Sequence, residues 1–338
     1  MRNLRYYFGT MSETERMVYK IILRGLANHD QTITVFSAFM PFEQVFAVFS
    51  KVMSDTPNLY YVNPYELKST QTPGTIILYP QYVYSQREID LLNKDILKTL
   101  KKIDDRAQNF VNDPFRLEKF LHDSTAMSVA YDYDALKKKG FSDACTIVGG
   151  FLQKRAVCSG ISHTFQMLCN IYSIKCLYAL GYASENQDYS TDNYHAWNIV
   201  KLGDKSYHVD VTWDSGKFRQ PRRKVVYDYF NIPTSEIEKD HKLEYSYPPC
   251  TSDEMSYFRL TGGCISTYSQ LLTFLSGKIG KQFITFKLMK DKGEFLSIDE
   301  VMTKLQKAIR ESLLSIFNHH NYSFYYNESF SIAYIFEN

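Results

Sequence analysis

Apolar residues recur along this 338-residue chain at spacings that distinguish helices from strands. Ser12-Glu13-Thr14-Glu15 has the pattern of a capping box, and the amphipathic spacing after it predicts a helix to about residue 27. Pro41 predicts the first turn of a second helix, where the missing N–H of proline does no harm. Further elements are predicted at Thr32–Phe36, Leu59–Val62 and Thr75–Tyr84 (strands) and Glu88–Leu100 (helix). Residues 1–108 are therefore predicted to form an N-terminal α+β region.

The middle of the chain, residues 109–260, predicts helices followed by an antiparallel sheet. One helix begins at Asp113-Pro114, and residues 134–149 are polar and lysine-rich, which favours a loop. A second helix begins near Cys158, because apolar residues follow it at helical spacing. Strands are then predicted at Lys175–Tyr182, Tyr194–Val200 and Lys205–Val211.

The last part of the chain, residues 261–338, predicts a C-terminal α+β region. Its helical patterns cover Tyr268–Leu275 and Ile298–Phe317, and its strand patterns cover Phe283–Leu288 and Phe330–Phe336. The sequence thus predicts an α+β protein of three regions.

Composition limits the classes of binding partner and the cellular location that we expect. Hydrophobic content of 44% suffices for a core, and a net charge of only +2 predicts neither a nucleic-acid nor a membrane partner. The basic run 219–224 is expected to be a solvated loop, with contact to an acidic partner as the alternative. The first residues lack the apolar run of a signal peptide, so a cytoplasmic location is expected; removal of a leader would make the protein secreted.

The six cysteines predict chemistry other than zinc binding or a disulfide framework. No two of them have the CxxC spacing of zinc or redox sites, which favours free thiols in a reducing compartment. Acidic residues with calcium-loop spacing are missing, and His319-His320 have no neighbours at metal-ligand spacing, so they are expected at the surface. We therefore expect neither a metal nor another cofactor.

Cys158, His195 and Asp210 are the candidate catalytic residues. A thiol is mostly protonated at neutral pH, but an imidazole can take its proton and a carboxylate can hold that imidazole in the useful tautomer. Cys158 is predicted at a helix N-terminus, where the helix dipole favours the thiolate and the backbone N–H of Cys158 itself can donate to an oxyanion. For each residue alone, a structural role is the simpler interpretation; their joint order favours catalysis.

The turn between the strands that carry His195 and Asp210 decides whether the two can meet. A two-residue turn at Leu202-Gly203 would place them opposite each other, and one at Gly203-Asp204 would make them diagonal neighbours on one face. A three-residue turn would send them to opposite faces unless a bulge restored the register.

Four further residues are weaker candidates. Gln153 is considered as an amide donor to the oxyanion, and His163 as a modulator of the thiolate. His208 is considered as a partner of the site, although a solvent-facing strand residue is the favoured interpretation. For Asn198 a structural role is favoured.

Three motifs together resemble the transglutaminase-like superfamily, in its bacterial branch. They are Ala156-Val157-Cys158-Ser159-Gly160, His195-Ala196-Trp197-Asn198 and Val209-Asp210-Val211-Thr212-Trp213-Asp214. Tyr131-Asp132-Tyr133, Tyr229-Phe230-Asn231-Ile232 and Lys239-Asp240-His241 add to the likeness, which spans about 113–245. Ser159 departs from the pattern, which frequently has an acidic residue there.

The resemblance implies a papain-like arrangement, in which a helix bearing the nucleophile packs on an antiparallel sheet. By implication Cys158 is the nucleophile, His195 the general base and acid, and Asp210 the orienting carboxylate. It implies an enzyme acting on a peptide or side-chain amide, more readily by hydrolysis than by transfer to an amine. The alternative is a peptide- or protein-binding scaffold that keeps the fold without turnover. The oligomeric state stays open.

Overall fold

The computed structural model describes most of the chain. It covers residues 5–36, 38, 40–138, 140–215, 224–278, 281, 283–289, 300, 303, 307 and 322–337. His319-His320 and nearly all of the basic run 219–224 lie outside these residues. Of the helix predicted at Ile298–Phe317, only positions 300, 303 and 307 are described, and all three are helical.

The N-terminal region contains four helices and a three-stranded antiparallel sheet in its described part. The helices are α1 (Tyr6–Thr10), α2 (Glu13–Ala27), α3 (Phe42–Asp55) and α4 (Gln86–Ala107). The strands are β1 (Ile33–Phe36), β2 (Val62–Thr72) and β3 (Thr75–Tyr82), in the order β1-β3-β2. The capping box at Ser12 is formed, which confirms that prediction.

The strand predicted at Leu59–Val62 is wrong, because β2 begins only at Val62. The backbone N–H groups of Leu59 and Val62 instead donate to carbonyls three residues earlier, as in turns. Leu59 and Tyr60 are buried, and their apolar character produced the strand-like pattern.

The middle region is built on a five-stranded antiparallel sheet. Its helices are α5 (Pro114–Ser128), α6 (Tyr133–Leu136), α7 (Cys158–Ile171), α8 (Val211–Asp214), α9 (Thr234–Ile237) and α10 (Tyr257–Leu260). Its strands are β4 (Ala130–Tyr131), β5 (Arg155–Ala156), β6 (Lys175–Ala183), β7 (Tyr194–Leu202), β8 (Lys205–Val209), β9 (Phe230–Ile232) and β10 (His241–Leu243). The sheet order is β10-β6-β7-β8-β9, and α7 packs against β6 and β7. A cysteine-bearing helix on an antiparallel sheet confirms the predicted fold class.

Two predictions in the middle region need correction. The loop predicted over 134–149 contains most of α6, a 3₁₀ turn at Asp143–Cys145 and the start of a π-helical turn at Gly149–Gln153. The strand predicted to reach Val211 ends at Val209, because Asp210 caps α8. Short helical turns of this kind lack the longer periodicity that identifies a helix in a sequence.

The C-terminal region adds a four-stranded sheet. Its elements are β11 (Cys264–Ile265), α11 (Tyr268–Ser276), β12 (Phe283–Leu288), β13 (Tyr322–Asn327) and β14 (Ile332–Glu337). The order is β11-β12-β14-β13. β12 agrees with its prediction, and β13 was not predicted.

The N-terminal and middle regions share one hydrophobic core. A single cluster of buried residues includes Val18 and Phe49 on one side and Phe165 and Leu168 of α7 on the other. Polar contacts join the same regions: the buried amide of Gln166 on α7 donates to the carbonyl of Ser54 (2.9 Å), and the Tyr7 hydroxyl to that of Tyr178 on β6 (3.0 Å). The boundaries near 108 and 260 stay a prediction. Within the described residues, the helices are too short or too polar to traverse a bilayer.

Candidate active site

The hairpin of β7 and β8 has the even-length turn that the site requires. Leu202 pairs with Lys205 around Gly203-Asp204, and Gly203 has a φ of 61°, which glycine adopts without strain. His195 lies at the start of β7 and Asp210 just after the end of β8, so both are at the hairpin end away from the turn. They are diagonal neighbours, one of the two arrangements considered above.

The side chain of Asp210 is held by three groups. One oxygen, Oδ1, accepts the backbone N–H of Trp213 at 3.0 Å and so caps α8. The other, Oδ2, lies 2.6 Å from Nε2 of His195 and 3.1 Å from Nε2 of His241. Because an ionised carboxylate only accepts, both imidazoles donate to it through Nε2. Burial raises the pKa of Asp210, but the facing imidazoles outweigh burial and hold that pKa below its usual range.

Cys158 is the first residue of α7. The close packing of this first helical turn against the preceding chain explains why residue 160 is a glycine. A Cβ on Gly160 would lie 2.2 Å from the carbonyl oxygen of Ala144, which is closer than real contacts allow. Glycine therefore lets α7 start directly against the 3₁₀ turn at Asp143–Cys145. This contact sets the position of the first turn of α7, which carries Cys158.

The Cys158 thiol is hydrogen-bonded to the imidazole of His195. The Nε2 atom of the same ring is hydrogen-bonded to Asp210. Burial raises the pKa of Cys158, but His195 and the backbone N–H of Ala196 outweigh it, so the net pKa is lowered. Burial lowers the pKa of His195, but the charges of Asp210 and Cys158 outweigh it and raise that pKa to about 10. The pair is therefore best described as thiolate and imidazolium.

A second row of hydrogen bonds lies behind Asp210. Nδ1 of His241 is 2.7 Å from Oδ1 of Asp240, and the Tyr229 hydroxyl donates to Oδ2 of Asp240 at 2.6 Å. His241 is 1% exposed and Asp210 is fully buried, so water does not compete for these bonds. The row fixes the carboxylate that faces His195.

His195, Asp210 and His241 also bring three metal-ligand atoms within 4.8 Å of one another. Two ligands about 2 Å from a tetrahedral zinc would lie about 3.3 Å apart. Nε2 of His195 and Oδ2 of Asp210 are only 2.6 Å apart, which fits a charge-assisted hydrogen bond instead. The two atoms as placed are too close together for shared tetrahedral zinc coordination.

Comparison with known proteins gives a family match for the segment that contains Cys158, His195 and Asp210. Residues 101–211 match the family model of the transglutaminase-like superfamily. The chain contains a transglutaminase-like domain. Kyphoscoliosis peptidase of Mus musculus is 26% identical over 106 residues, which make up 30% of this chain but only 16% of that protein.

Solved structures of two proteins resemble the chain that carries this transglutaminase-like domain. One is a TGase with 14% identity and a TM-score of 0.29, covering 52% of this chain and 50% of the other. The second is a candidate cysteine protease from Cytophaga hutchinsonii with 14% identity and a TM-score of 0.28, covering 56% of this chain and 80% of the other.

The weaker candidates in the transglutaminase-like domain have structural partners. The amide of Gln153 donates to Asp143 at 2.7 Å on the exposed surface, so its prediction as an oxyanion donor is wrong. His163 stacks on Tyr178 with ring centroids 4.1 Å apart, and burial lowers its pKa to about 4, so it is neutral. Its ring nitrogen Nδ1 lies 3.2 Å from Gln166.

His208 and Asn198 support the site from within the sheet. His208 is buried rather than solvent-facing, which corrects the favoured interpretation; its Nδ1 accepts the indole N–H of Trp197 at 3.1 Å. The Asn198 amide donates to the carbonyls of Ser162 and Leu177, a structural role as favoured above.

Sequence reasoning assigned no role to Tyr131 or His241 of the transglutaminase-like domain. His241 lies against Asp210, and the Tyr131 hydroxyl faces the backbone N–H of Cys158. Both stand in segments that carry the family resemblance, which was the available signal. Neither forms a pattern along the chain with Cys158, His195 and Asp210, because the fold alone brings them together.

Proposed function

We propose that the protein is a thiol-dependent enzyme that acts on peptide or side-chain amide bonds through Cys158, His195 and Asp210, most readily by hydrolysis. The observation that carries this proposal is the continuous contact from thiol to imidazole to buried carboxylate. The transglutaminase-like family match supports the same class of chemistry.

The reaction begins when the Cys158 thiolate attacks the amide carbonyl carbon. A C–S bond forms, and the carbonyl π electrons move to oxygen to give a tetrahedral oxyanion. When that intermediate collapses, the C–N bond breaks and the His195 imidazolium gives its proton to the leaving nitrogen. A thioester remains on Cys158. The imidazole, now neutral, takes a proton from water or from an amine, which attacks the thioester and releases the product.

Access to the thiol favours water as the second nucleophile. Cys158 is 8% exposed, and the His195 side chain is also 8% exposed. Water can reach such a confined thioester more easily than a lysine side chain carried by a second protein. The mouse relative is named a peptidase, which agrees with hydrolysis.

The oxyanion faces two donors in this proposal. The backbone N–H of Cys158 is at the start of α7, and the Tyr131 hydroxyl lies against it. Burial raises the pKa of Tyr131 well above its usual range, so the phenol keeps the proton that it would donate. In the resting enzyme the N–H and the hydroxyl contact each other, and the substrate oxygen replaces that contact.

We expect Tyr131→Phe to lower kcat by about 10- to 100-fold with a smaller change in KM, because one oxyanion donor is lost. The phenyl ring keeps the packing of Tyr131 against the apolar cluster that contains Cys158. Steady-state kinetics on a cleaved or deamidated peptide measures the effect. Tyr133→Phe, two residues away and about half exposed, is the matched control and should leave kcat unchanged. Equal kcat values for Tyr131→Phe and the wild type would contradict the role of Tyr131.

Iodoacetamide labelling against pH tests the proposed function without a known substrate. Because the pKa of Cys158 is lowered, its alkylation at about pH 6 should be faster than that of a thiol with the usual pKa of about 8.5, which is almost wholly protonated there. Cys145, Cys169, Cys250 and Cys264 have pKa values raised by burial, so peptide mapping should find the label on Cys158.

His195→Ala is the decisive variant in the labelling experiment. Without the imidazolium, burial dominates and raises the pKa of Cys158, so labelling near pH 6 should almost disappear. In the wild type, turnover should also decline above about pH 10, as His195 loses the proton that the leaving nitrogen needs. Labelling of Cys158 no faster than that of an ordinary thiol would overturn the enzyme proposal and leave the scaffold alternative.

A further inference from the structure

A cavity of about 420 Å³ opens beside the nucleophile. Ser159, the neighbour of Cys158, lines it together with Tyr178 and Leu180 of β6. Tyr178 belongs to the same small apolar cluster as Cys158, and Leu180 packs against that cluster. The volume is near the lower end of the range for ligand pockets, about 300–1,000 Å³, and suits one large side chain.

The N-terminal region supplies most of the cavity wall. Phe46, Phe49 and Met53 come from α3, while Leu59 and Leu67 come from the segment that leads into β2 and from β2 itself. The part of the chain without family resemblance therefore borders the catalytic thiol. A substrate that reaches Cys158 through this cavity must contact the N-terminal region.

The described lining of the cavity carries no Asp, Glu, Lys or Arg side chain. Its one imidazole, His163, has a pKa of about 4 because of burial and is neutral at physiological pH. A charged side chain entering the cavity would lose water without gaining a counter-charge. An apolar or aromatic side chain would gain burial and ring contacts with Tyr178 and Phe49.

The position of the cavity relative to His195 indicates which part of a substrate enters it. The leaving nitrogen must approach His195, which protonates it. Of the β7 residues next to the thiol, Tyr194 lines the cavity but His195 does not, whereas Ser159, the neighbour of Cys158, does. A side chain in the cavity therefore belongs to the acyl part of the substrate, which stays on Cys158 as the thioester.

Building on the proposed function, we infer that this cavity binds a large uncharged side chain, aromatic or aliphatic, on the acyl side of the attacked amide. The N-terminal region thus selects the substrate, while the transglutaminase-like domain supplies the chemistry. The preference is set chiefly by the wall that α3 and β2 form.

Dipeptide chloromethyl ketones test this specificity. They carry Phe, Leu, Lys or Asp at one position and glycine at the other, in both orders, and they alkylate the thiol from the acyl side. In one of the two orders, Phe and Leu should label Cys158 at least about tenfold faster than Lys and Asp. Each rate is divided by the iodoacetamide rate of the same protein, which reports the thiolate alone.

Leu67→Asp places a carboxylate in the cavity wall and should shift the preference from Phe to Lys. Ser50→Asp, at an exposed position on the same cavity, should shift the preference in the same direction. It keeps the test valid if Leu67→Asp does not fold. Gln71→Asp, exposed on the same strand β2 but outside the cavity, is the matched control and should keep the wild-type preference. Thermal unfolding confirms that each variant is folded.

The outcomes separate the two proposals. Fast iodoacetamide labelling with equal rates for all eight dipeptides overturns the specificity inference and leaves the proposed function intact. A wild-type preference that persists in both Leu67→Asp and Ser50→Asp also overturns the inference. If the wild type shows no fast iodoacetamide labelling at low pH, the proposed function is overturned, and the specificity inference that rests on it is overturned as well.

Discussion

Replacement of Cys158 by alanine is expected to reduce amide conversion by about 10⁴-fold or more, because it removes the thiol that forms the thioester. Alanine keeps the backbone N–H at the start of α7, so oxyanion stabilisation alone accounts for the residual rate. Incubation with a peptide library and mass detection measures the loss. The same experiment on the wild type separates chain cleavage, deamidation (a gain of about one mass unit) and amine incorporation.

Cys169→Ala is the matched control for this first prediction. Cys169 lies on the same helix and is fully buried, and its pKa is raised well above the usual value by burial, so it is not a nucleophile. This variant should lose some stability through the cavity that it leaves but keep its turnover. Comparable losses in the two variants would point to unfolding. Persistent turnover in a folded Cys158→Ala protein would disprove covalent catalysis at this residue.

Asp210→Asn is expected to lower kcat by about 10³- to 10⁴-fold while leaving Cys158 in place. Asparagine keeps the shape of aspartate but offers an N–H where His195 now finds an acceptor. The imidazole then loses the partner that fixes its tautomer and raises its pKa to about 10. The Cys158 thiol in turn loses the imidazolium that lowers its pKa. Low-pH labelling should therefore weaken together with turnover, and both can be measured on one protein sample.

Asp214→Asn provides a close match for Asp210→Asn. Asp214 is on the same short helix α8, is fully buried, and pairs with an imidazole, that of His122, at 3.2 Å. It makes no described contact with Cys158 or His195. Asp214→Asn should reduce the free energy of unfolding but retain rapid labelling at low pH. If both variants label alike, the carboxylate at position 210 has only a structural role.

Much of the candidate site could be predicted from the sequence because its residues lie on one helix and one hairpin. Cys158 begins α7, and His195 and Asp210 lie at the same end of the β7–β8 hairpin. The hairpin needed only an even-length turn to bring His195 towards Asp210, and Gly203-Asp204 supplied the turn signal. The position of Cys158 at a helix start followed from the periodicity of the residues after it. Whether these three residues catalyse a reaction stays a prediction until the variants are measured.

The remaining features depend on contacts between distant parts of the chain. His241 reaches Asp210 across 31 positions, and α3 approaches β6 only when both are folded. Local periodicity carries no information on such contacts, so the second imidazole on Asp210 and the cavity beside Cys158 could not be predicted. Gln153 failed as a candidate because its amide donates a hydrogen bond to Asp143, a pairing that local periodicity does not indicate either.

The hydrogen bonds from Gln166 to Ser54 and from Tyr7 to Tyr178 have a consequence for dissecting the protein. A fragment cut to the family-matched segment 101–211 would lose both N-terminal partners at once. The underside of the cysteine-bearing helix would face water with its apolar side chains, and an interior amide would have one acceptor fewer. Excision at the limits of sequence similarity would therefore yield an aggregation-prone piece rather than a minimal catalyst.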